Sequence, residues 1–239
     1  LTITESGSDE APFPLVITEH TIDAVPTGKY TGNKKDEILV HTIGDGMAGS
    51  GLVTDATLHE RGVPYRMGSD EGDSFIIGGG TDGNVVTLTI EPGVIMRFHP
   101  KTGFRVQTFS TEEPSTAIIR AIGTAEKPIV FTSAADSPAA GDWRGLWFGG
   151  VPQAANALEH VRIEYAGHDC SCSMVTCSAN LQGYDGAVIF GKATRLEVDH
   201  AGDICDHDRS PRASLMASRI TSRMALPSGW VLSHHSARS

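Results

Sequence analysis

This chain of 239 residues has no long apolar run, no long segment with helical periodicity and no excess of basic residues. No stretch approaches the roughly 18 consecutive apolar residues of a membrane-spanning helix, so the sequence predicts no membrane span. The formal net charge is −10, whereas nucleic-acid-binding domains are usually basic, so we expect no nucleic-acid partner. Neither a Gly-x-Ser-x-Gly elbow nor a Gly-x-x-x-x-Gly-Lys-Ser/Thr loop is present, which leaves nucleophilic catalysis without support.

The chain is rich in glycine, with 27 residues, and in clusters of Val, Ile and Thr. From residue 85 onward, short alternating apolar runs are separated by loops rich in Gly, Pro, Asp, Ser and Ala, and no loop holds a convincing crossover helix. The runs predicted as strands are residues 86–90, 94–98, 104–109, 116–122, 128–133, 145–150, 158–166, 186–190 and 195–200. A strand series without helices leaves an antiparallel sandwich or barrel, or a solenoid.

The stretch VTLTIEPGVIMRF, residues 86–98, holds two alternating runs around a Glu91-Pro92-Gly93 turn. Pro-Gly is not the Asn-Gly or Asp-Gly pair that tight hairpins prefer, and similar turn-plus-strand phrases recur after it. Recurrence of this kind is typical of stacked coils, so the sequence favours a corner over a hairpin. In that interpretation the side chains that point inward are Leu88, Ile90, Val94, Met96 and Phe98.

Four phrases, LTIEPGVIMRF, GTAEKPIVFTS, GDWRGLWF and LEHVRIEYAG, follow one another along the chain. In this order they resemble the phrases of secreted bacterial right-handed parallel β-helix repeat proteins, over about residues 58–190. The resemblance implies an all-β fold, a right-handed parallel β-helix, whose open ends need capping. It also implies a secreted or cell-surface location in a bacterium. It implies no single function, because many members of that family are uncharacterised surface proteins.

Changes in composition and in strand alternation along the chain predict three segments. Residues 1–60 form an irregular N-terminal segment or cap, 61–205 the parallel β-helix, and 206–239 an atypical tail rich in Ser and Arg. The tail is basic on an acidic protein, and the strand alternation stops there. Two interpretations stay open, namely an irregular C-terminal cap and an interruption of the original reading frame.

The cysteines are four in number, and three of them lie close together. They are Cys170, Cys172, Cys177 and Cys205. An even number in a strand-rich acidic chain favours one or two disulfides and an oxidising compartment. Free buried thiols and a zinc site are the alternatives, although zinc sites favour a Cys-x-x-Cys pair that is missing here.

Candidate functional side chains are expected on the outward positions of the coils. In the run 158–166 the alternation turns Val161, Ile163 and Tyr165 inward. The outward positions of that run are His160, Arg162 and Glu164, and those of the run 195–200 are Arg195, Glu197 and Asp199. If these rungs stack, they form a charged strip that is either a solvated surface or a functional one.

Two functions compete for this strip. The first is a non-enzymatic extracellular or cell-surface module that binds, or displays toward, carbohydrate. The second is a polysaccharide-active enzyme, a lyase before a glycoside hydrolase, because the Asn-Thr-Asp and paired-Asp phrases expected of β-helix hydrolases are missing. β-Helix lyases commonly use acid-bound calcium and an Arg or Lys base, so the resemblance implies Arg162 as base and Glu164 and Glu197 as acids. His160 completes the candidate catalytic set, and Asp199 is a further acid and a candidate ligand-binding residue.

Ligand and metal candidates lie elsewhere as well. Trp143 and Trp147 either stack on a sugar ring from an exposed position or pack at the edge of a coil. The acidic loop with Asp70, Glu71 and Asp73 either binds calcium through oxygen ligands or is simply solvated. The stretch HAGDICDHD at 200–208 is a weaker candidate for zinc or copper. The expected partner is therefore a polysaccharide or cell-surface glycan, with calcium as the candidate cofactor.

Overall fold

The computed structural model of the chain describes residues 1–42, 51–69, 74–78, 83–107, 114–168 and 187–190. These ranges hold a short 3₁₀ helix, Glu19–Ala24, and a series of short strands. The strands are β1 (Leu15–Thr18), β2 (Ile38–His41), β3 (Ala56–Leu58), β4 (Tyr65–Met67), β5 (Ser74–Ile77), β6 (Val86–Ile90), β7 (Ile95–Phe98), β8 (Gly103–Val106), β9 (Ala117–Ile122), β10 (Ile129–Ser133), β11 (Leu146–Phe148), β12 (Ala157–Glu159), β13 (Val161–Ile163) and β14 (Val188–Phe190). No helix in the described ranges is long and apolar enough to cross a membrane.

The strands stack into three sheets, and every pairing between these strands is parallel. Sheet 1 has the order β3-β6-β9-β12, sheet 2 the order β1-β2-β4-β7-β10-β13, and sheet 3 the order β5-β8-β11-β14. The chain crosses sheets 1, 2 and 3 in turn and then returns to sheet 1 one coil further along. The predicted fold is confirmed: the protein is a right-handed parallel β-helix.

The stretch 86–98 forms a corner and not a hairpin. Strand β6 pairs with β3 and β9, whereas β7 pairs with β4 and β10, so the two strands belong to different sheets. Between them Val94 N–H donates to Glu91 O over 3.3 Å, and Gly93 has a φ of 90°, a conformation that favours glycine. The five side chains predicted to point inward are all buried in the core: Leu88, Ile90, Val94, Met96 and Phe98.

Five aromatic side chains from successive coils pack against one another in the core. The Phe98 ring stacks on the Trp143 indole, with centroids 4.2 Å apart and planes 6° from parallel. Phe104 lies 5.9 Å from Phe98 and 5.5 Å from Phe131, and Phe75 lies 5.3 Å from Phe104. This aromatic cluster joins sheets 2 and 3 and fixes the distance between them.

The N-terminal segment covers one end of the coils. Strands β1 and β2 extend sheet 2 beyond β4, and the 3₁₀ helix lies against β3 with Ile22 buried in the core. The Asp23 carboxylate accepts a hydrogen bond from Thr57 N–H over 2.9 Å, and Arg61 donates twice to Val25 O, over 3.0 and 2.8 Å. The helix therefore satisfies a backbone N–H at the edge of sheet 1, and Arg61 satisfies the carbonyl that follows the helix. The boundary at residue 60 stays a prediction.

The Glu91 carboxylate joins two successive corners. Its Oε1 lies 2.9 Å from His59 Nδ1, and its Oε2 accepts a hydrogen bond from Glu60 N–H over 2.8 Å. Burial alone would raise the pKa of Glu91, but the hydrogen bonds from His59 and Glu60 N–H outweigh it and lower the pKa below the ordinary 4.5. The ionised carboxylate is therefore favoured by the fold.

This lowered pKa predicts an acid-dependent loss of stability. Because the pKa of Glu91 is lower in the folded than in the unfolded chain, its contribution is fully present above about pH 4.5 and is lost as pH falls through the folded value. We expect the free energy of unfolding, measured by urea titration from about pH 6 to about pH 3, to fall less steeply in Glu91→Gln than in the wild type. Glu126→Gln, exposed at the corner of the next coil, is the control. Identical pH profiles for Glu91→Gln and the wild type would contradict the prediction.

Candidate functional site

The outward face of sheet 2 carries its side chains in ladders, because successive coils pair in register. Ile95, Val130 and Arg162 form one ladder on β7, β10 and β13. Arg66 and Arg97 stand beside it on β4 and β7. Parallel strands lie about 4.8 Å apart, so each ladder brings residues that are distant in sequence to that spacing.

A shallow groove of about 450 Å³ lies where this face meets the corners that come from sheet 1. Its floor consists of Gly93, Ile95, Pro128 and Val130. Its rim carries charged side chains, namely Glu60, Glu126, Lys127 and Arg162. We call this feature the corner groove. From Glu60 in the first coil to Arg162 in the fourth it spans three coil spacings, about 14 Å.

Arg162 lines one end of the corner groove, and Glu164 lies beside it. The Arg162 Nε is 3.4 Å from Glu164 Oε1, and Thr132 Oγ1 donates to Glu164 Oε2 over 3.3 Å. The Arg162 side chain is 61% exposed, so it stays accessible to a ligand despite the pair. The structure thus brings together two of the predicted catalytic residues, whose role in catalysis stays a prediction.

The predicted single strand at 158–166 is wrong, because the backbone bends within it. Strand β12 ends at Glu159, β13 begins at Val161, and His160 between them has a φ of 48°. His160 is therefore an exposed corner residue and not the first of three side chains on one strand face. Tyr165, predicted to point inward, has a φ of 60° and is 42% exposed. Alternation holds only where the backbone stays extended, and it is lost at these two positions.

Of the two alternatives for Trp143 and Trp147, the structure favours packing over an exposed ring that could stack on a sugar. Their relative exposures are 0% and 1%. Trp143 stacks on Phe98, and its Nε1–H donates to Glu164 O over 2.7 Å. Trp147 points away from the core, as its position between two inward residues requires, but its ring is covered and the Arg105 guanidinium lies 5.7 Å from the ring centroid. Packing is the role that the structure shows for both.

A buried ion cluster on sheet 2 was not predicted from the sequence. The Glu37 side chain, only 6% exposed, is paired with Arg97 Nη1 and lies 3.7 Å from Arg66 Nη1. Arg66 Nη1 also donates to Ala134 O over 3.1 Å. No local motif signals this cluster, because its three members come from three different coils. It joins the N-terminal segment to the coils that carry the groove floor.

Several predicted sites fall outside the described residues. They are the calcium candidates Asp70, Glu71 and Asp73, the outward acids Glu197 and Asp199, the four cysteines, the stretch 200–208 and the tail 206–239. Their roles stay predictions. In the part of the chain that the structure describes, no group of three or more His, Cys, Asp or Glu side chains could hold a metal ion.

Comparison with known proteins supports the fold. A family model described as a pectate-lyase-like β-helix domain matches residues 75–157. That range contains strands β6 to β11 and with them Ile95 and Val130 of the groove floor. No curated protein and no solved structure matches the chain. The protein is therefore a parallel β-helix protein whose central coils are similar to those of a pectate-lyase-like domain, a likeness that fits a polysaccharide-related role.

Proposed function

We propose that the protein binds a polysaccharide chain along the corner groove. The observation that carries the proposal is the groove itself, with an apolar floor, a charged rim and a length of three coil spacings. A sugar ring has an apolar C–H face and a periphery of hydroxyl groups, so floor and rim match its two kinds of surface. The likeness to a pectate-lyase-like domain over residues 75–157 supports the same class of ligand.

The shape of the groove suits a chain better than a small molecule. The charged rim residues Glu60, Glu126 and Lys127 are exposed, and the floor is formed by a strand face and not by a deep cavity. A small ligand in such a place keeps much of its surface in water and gains little from apolar burial. A polymer that lies across successive coils repeats the same modest contact several times.

The proposal includes a place of action outside the cell or on its surface, where polysaccharide chains are accessible. The cysteine pattern in the sequence favours the same oxidising environment. Protease treatment of intact cells is the direct check, because a surface protein is cleaved while a protein inside the cell is protected.

Replacing Ile95 with asparagine is expected to weaken polysaccharide binding at least about tenfold, because it removes apolar area from the centre of the floor. Ile95 is 37% exposed and points away from the core, so the fold should tolerate the change. Affinity electrophoresis in gels that contain individual polysaccharides is the measurement.

Val16→Asn is the matched control for this variant. Val16 lies on the outward face of the same sheet, is 57% exposed, and stands on β1, away from the groove. We expect its binding to equal that of the wild type. Equal retardation of Ile95→Asn and the wild type by every polysaccharide that binds would contradict the placement of the site.

A second candidate, polysaccharide elimination, rests on Arg162. Its exposed guanidinium stands on the groove rim next to Glu164, as an arginine base and a neighbouring acid would. In elimination a base takes the C5 proton of a uronate, the C4–O glycosidic bond breaks, the departing sugar oxygen takes up a proton from water, and the new chain end carries a C4–C5 double bond. Use of Arg162 as the base would require its pair with Glu164 to open and the guanidinium to lose a proton to water before it takes the C5 proton. Incubation of acidic polysaccharides with the protein and calcium decides the matter: the candidate requires an ultraviolet-absorbing unsaturated product that Arg162→Ala does not form.

A further inference from the structure

We infer that the corner groove selects a neutral polysaccharide and that Glu164 is the residue that excludes an acidic one. The inference rests on the proposed function, since it specifies the ligand of the same groove. Three observations carry it, namely the balance of charge on the rim, the partners of Arg162, and the composition of the floor.

The rim of the groove offers no net attraction to a polyanion. Glu60 and Glu126 carry negative charge, and Lys127 and Arg162 carry positive charge, so the formal charges cancel. The whole chain has a formal net charge of −10, which repels a polyanion at a distance. A site built for a chain of carboxylates would instead concentrate cations along its length.

The rim cation best suited to a sugar carboxylate is already paired. A guanidinium recognises carboxylates through two parallel N–H donors, which an ammonium cannot do. The Arg162 Nε is 3.4 Å from Glu164 Oε1, and Thr132 holds the other Glu164 oxygen over 3.3 Å. An incoming carboxylate that binds the exposed part of the guanidinium would lie beside the charge of Glu164. Glu164 is thus a repulsive element against an acidic ligand, which is how many binding sites gain specificity.

A neutral sugar meets no such obstacle. Its hydroxyl groups both donate and accept, so they can donate to Glu60 or Glu126 and accept from Lys127. Its C–H face can rest on Ile95 and Pro128. A rim with both signs of charge therefore satisfies a ring of hydroxyl groups without any change in the Arg162–Glu164 pair.

Isothermal titration of the full chain with two classes of oligosaccharide tests the inference. The neutral probes are cello-, manno- and xylo-oligosaccharides, and the acidic probe is an oligogalacturonate of the same length. The wild type should bind at least one neutral probe more tightly than the acidic one. Glu164→Gln should raise affinity for the acidic probe about tenfold, because it frees Arg162 and removes a like charge. Affinity for the neutral probe should stay within about twofold.

Two further variants separate specificity from general charge. Asp136→Asn makes the same change of charge at an exposed position after β10, at the other end of that strand from the groove, and should not alter the preference. Adding Arg162→Ala to Glu164→Gln should abolish the gain for the acidic probe, which a purely structural role of Glu164 would not explain.

The possible outcomes distinguish the inference from the proposed function. Tighter binding of the acidic probe by the wild type, or no gain in Glu164→Gln, overturns the inference and leaves polysaccharide binding intact. Binding of no probe by the folded wild type overturns the proposed function and the inference with it. Preference for a neutral probe also removes the elimination candidate, because that reaction needs a carboxylate on the sugar ring.

Discussion

Replacing Phe98 with alanine is expected to lower the free energy of unfolding by about 3–5 kcal/mol, the usual cost of removing a buried phenylalanine. The Phe98 ring is fully buried and lies between Trp143, at 4.2 Å, and Phe104, at 5.9 Å. Parallel pairing holds the backbone of both neighbours in place. Phe104 lies on β8, which pairs with β11, and Trp143 forms a parallel bridge with Ala166. The cavity would therefore stay largely open, and a large cost follows from that.

Urea titration of the full chain, followed by tryptophan fluorescence and circular dichroism, measures the loss. Val16→Ala is the control, because Val16 is exposed and a substitution there should change stability by less than about 0.5 kcal/mol. A loss of less than about 1 kcal/mol in Phe98→Ala would show that the aromatic cluster does not hold the coils together.

Replacing Glu37 with alanine is expected to lower the free energy of unfolding by about 3 kcal/mol, since it breaks a buried ion cluster and leaves two guanidinium groups without their carboxylate. The Arg66 side chain is only 13% exposed, so water would solvate its unpaired charge poorly. The Arg97 side chain is 30% exposed, so water should solvate its charge better. These arginines also donate hydrogen bonds to backbone carbonyls, which should reduce the loss of stability. A carbonyl does not replace a full negative charge, so a loss remains.

The pair of Lys34 and Asp9 provides the comparison. Its two side chains lie 2.6 Å apart but are 52% and 89% exposed, so Asp9→Ala should cost less than about 1 kcal/mol. Both variants remove one carboxylate from an ion pair in the N-terminal segment, and only burial differs. Similar losses for Glu37→Ala and Asp9→Ala would contradict a structural role for the buried cluster.

Both variants bear on the groove because they act on the sheet that carries it. Phe98 supports strand β7 from the inside, three residues beyond Ile95 and pointing to the opposite face. Arg97 lies between them on the outside. A destabilised sheet 2 would disturb the floor of the groove without any change in the groove residues themselves, so binding by these variants should be compared only where they are folded.

Most of the scaffold could be predicted from the sequence, because its signals are local. Alternation over residues 86–98 and the Glu91-Pro92-Gly93 turn determine which side chains point inward, and the structure buries them. The parallel stacking followed from the recurrence of such phrases without helices between them. Local alternation failed at His160 and Tyr165, where positive φ values turn the chain. Histidine is enriched at positive φ, but too weakly for a single His to predict a turn, and tyrosine gives no such signal.

The candidate site was harder to predict, because it consists of residues from four coils. Glu60, Ile95, Lys127 and Arg162 are each about one coil apart in sequence, and only the register of the ladders brings them together. The sequence suggested Arg162 and Glu164 through alternation alone. It could not show that Trp143 is covered on both faces, since burial depends on the length of each loop as well as on residue type.

The central claim is that a polysaccharide binds along the corner groove. The most direct test is to record amide chemical shifts of the isotope-labelled full chain during titration with an oligosaccharide that binds. We predict that the largest changes fall on the backbone amides of the corner groove, at Gly93, Ile95, Lys127, Val130 and Arg162. The amides of β1 and of the 3₁₀ helix Glu19–Ala24 should stay unchanged. Changes confined to another face of the β-helix, or no changes at saturating concentrations of every neutral and acidic probe, would contradict the account.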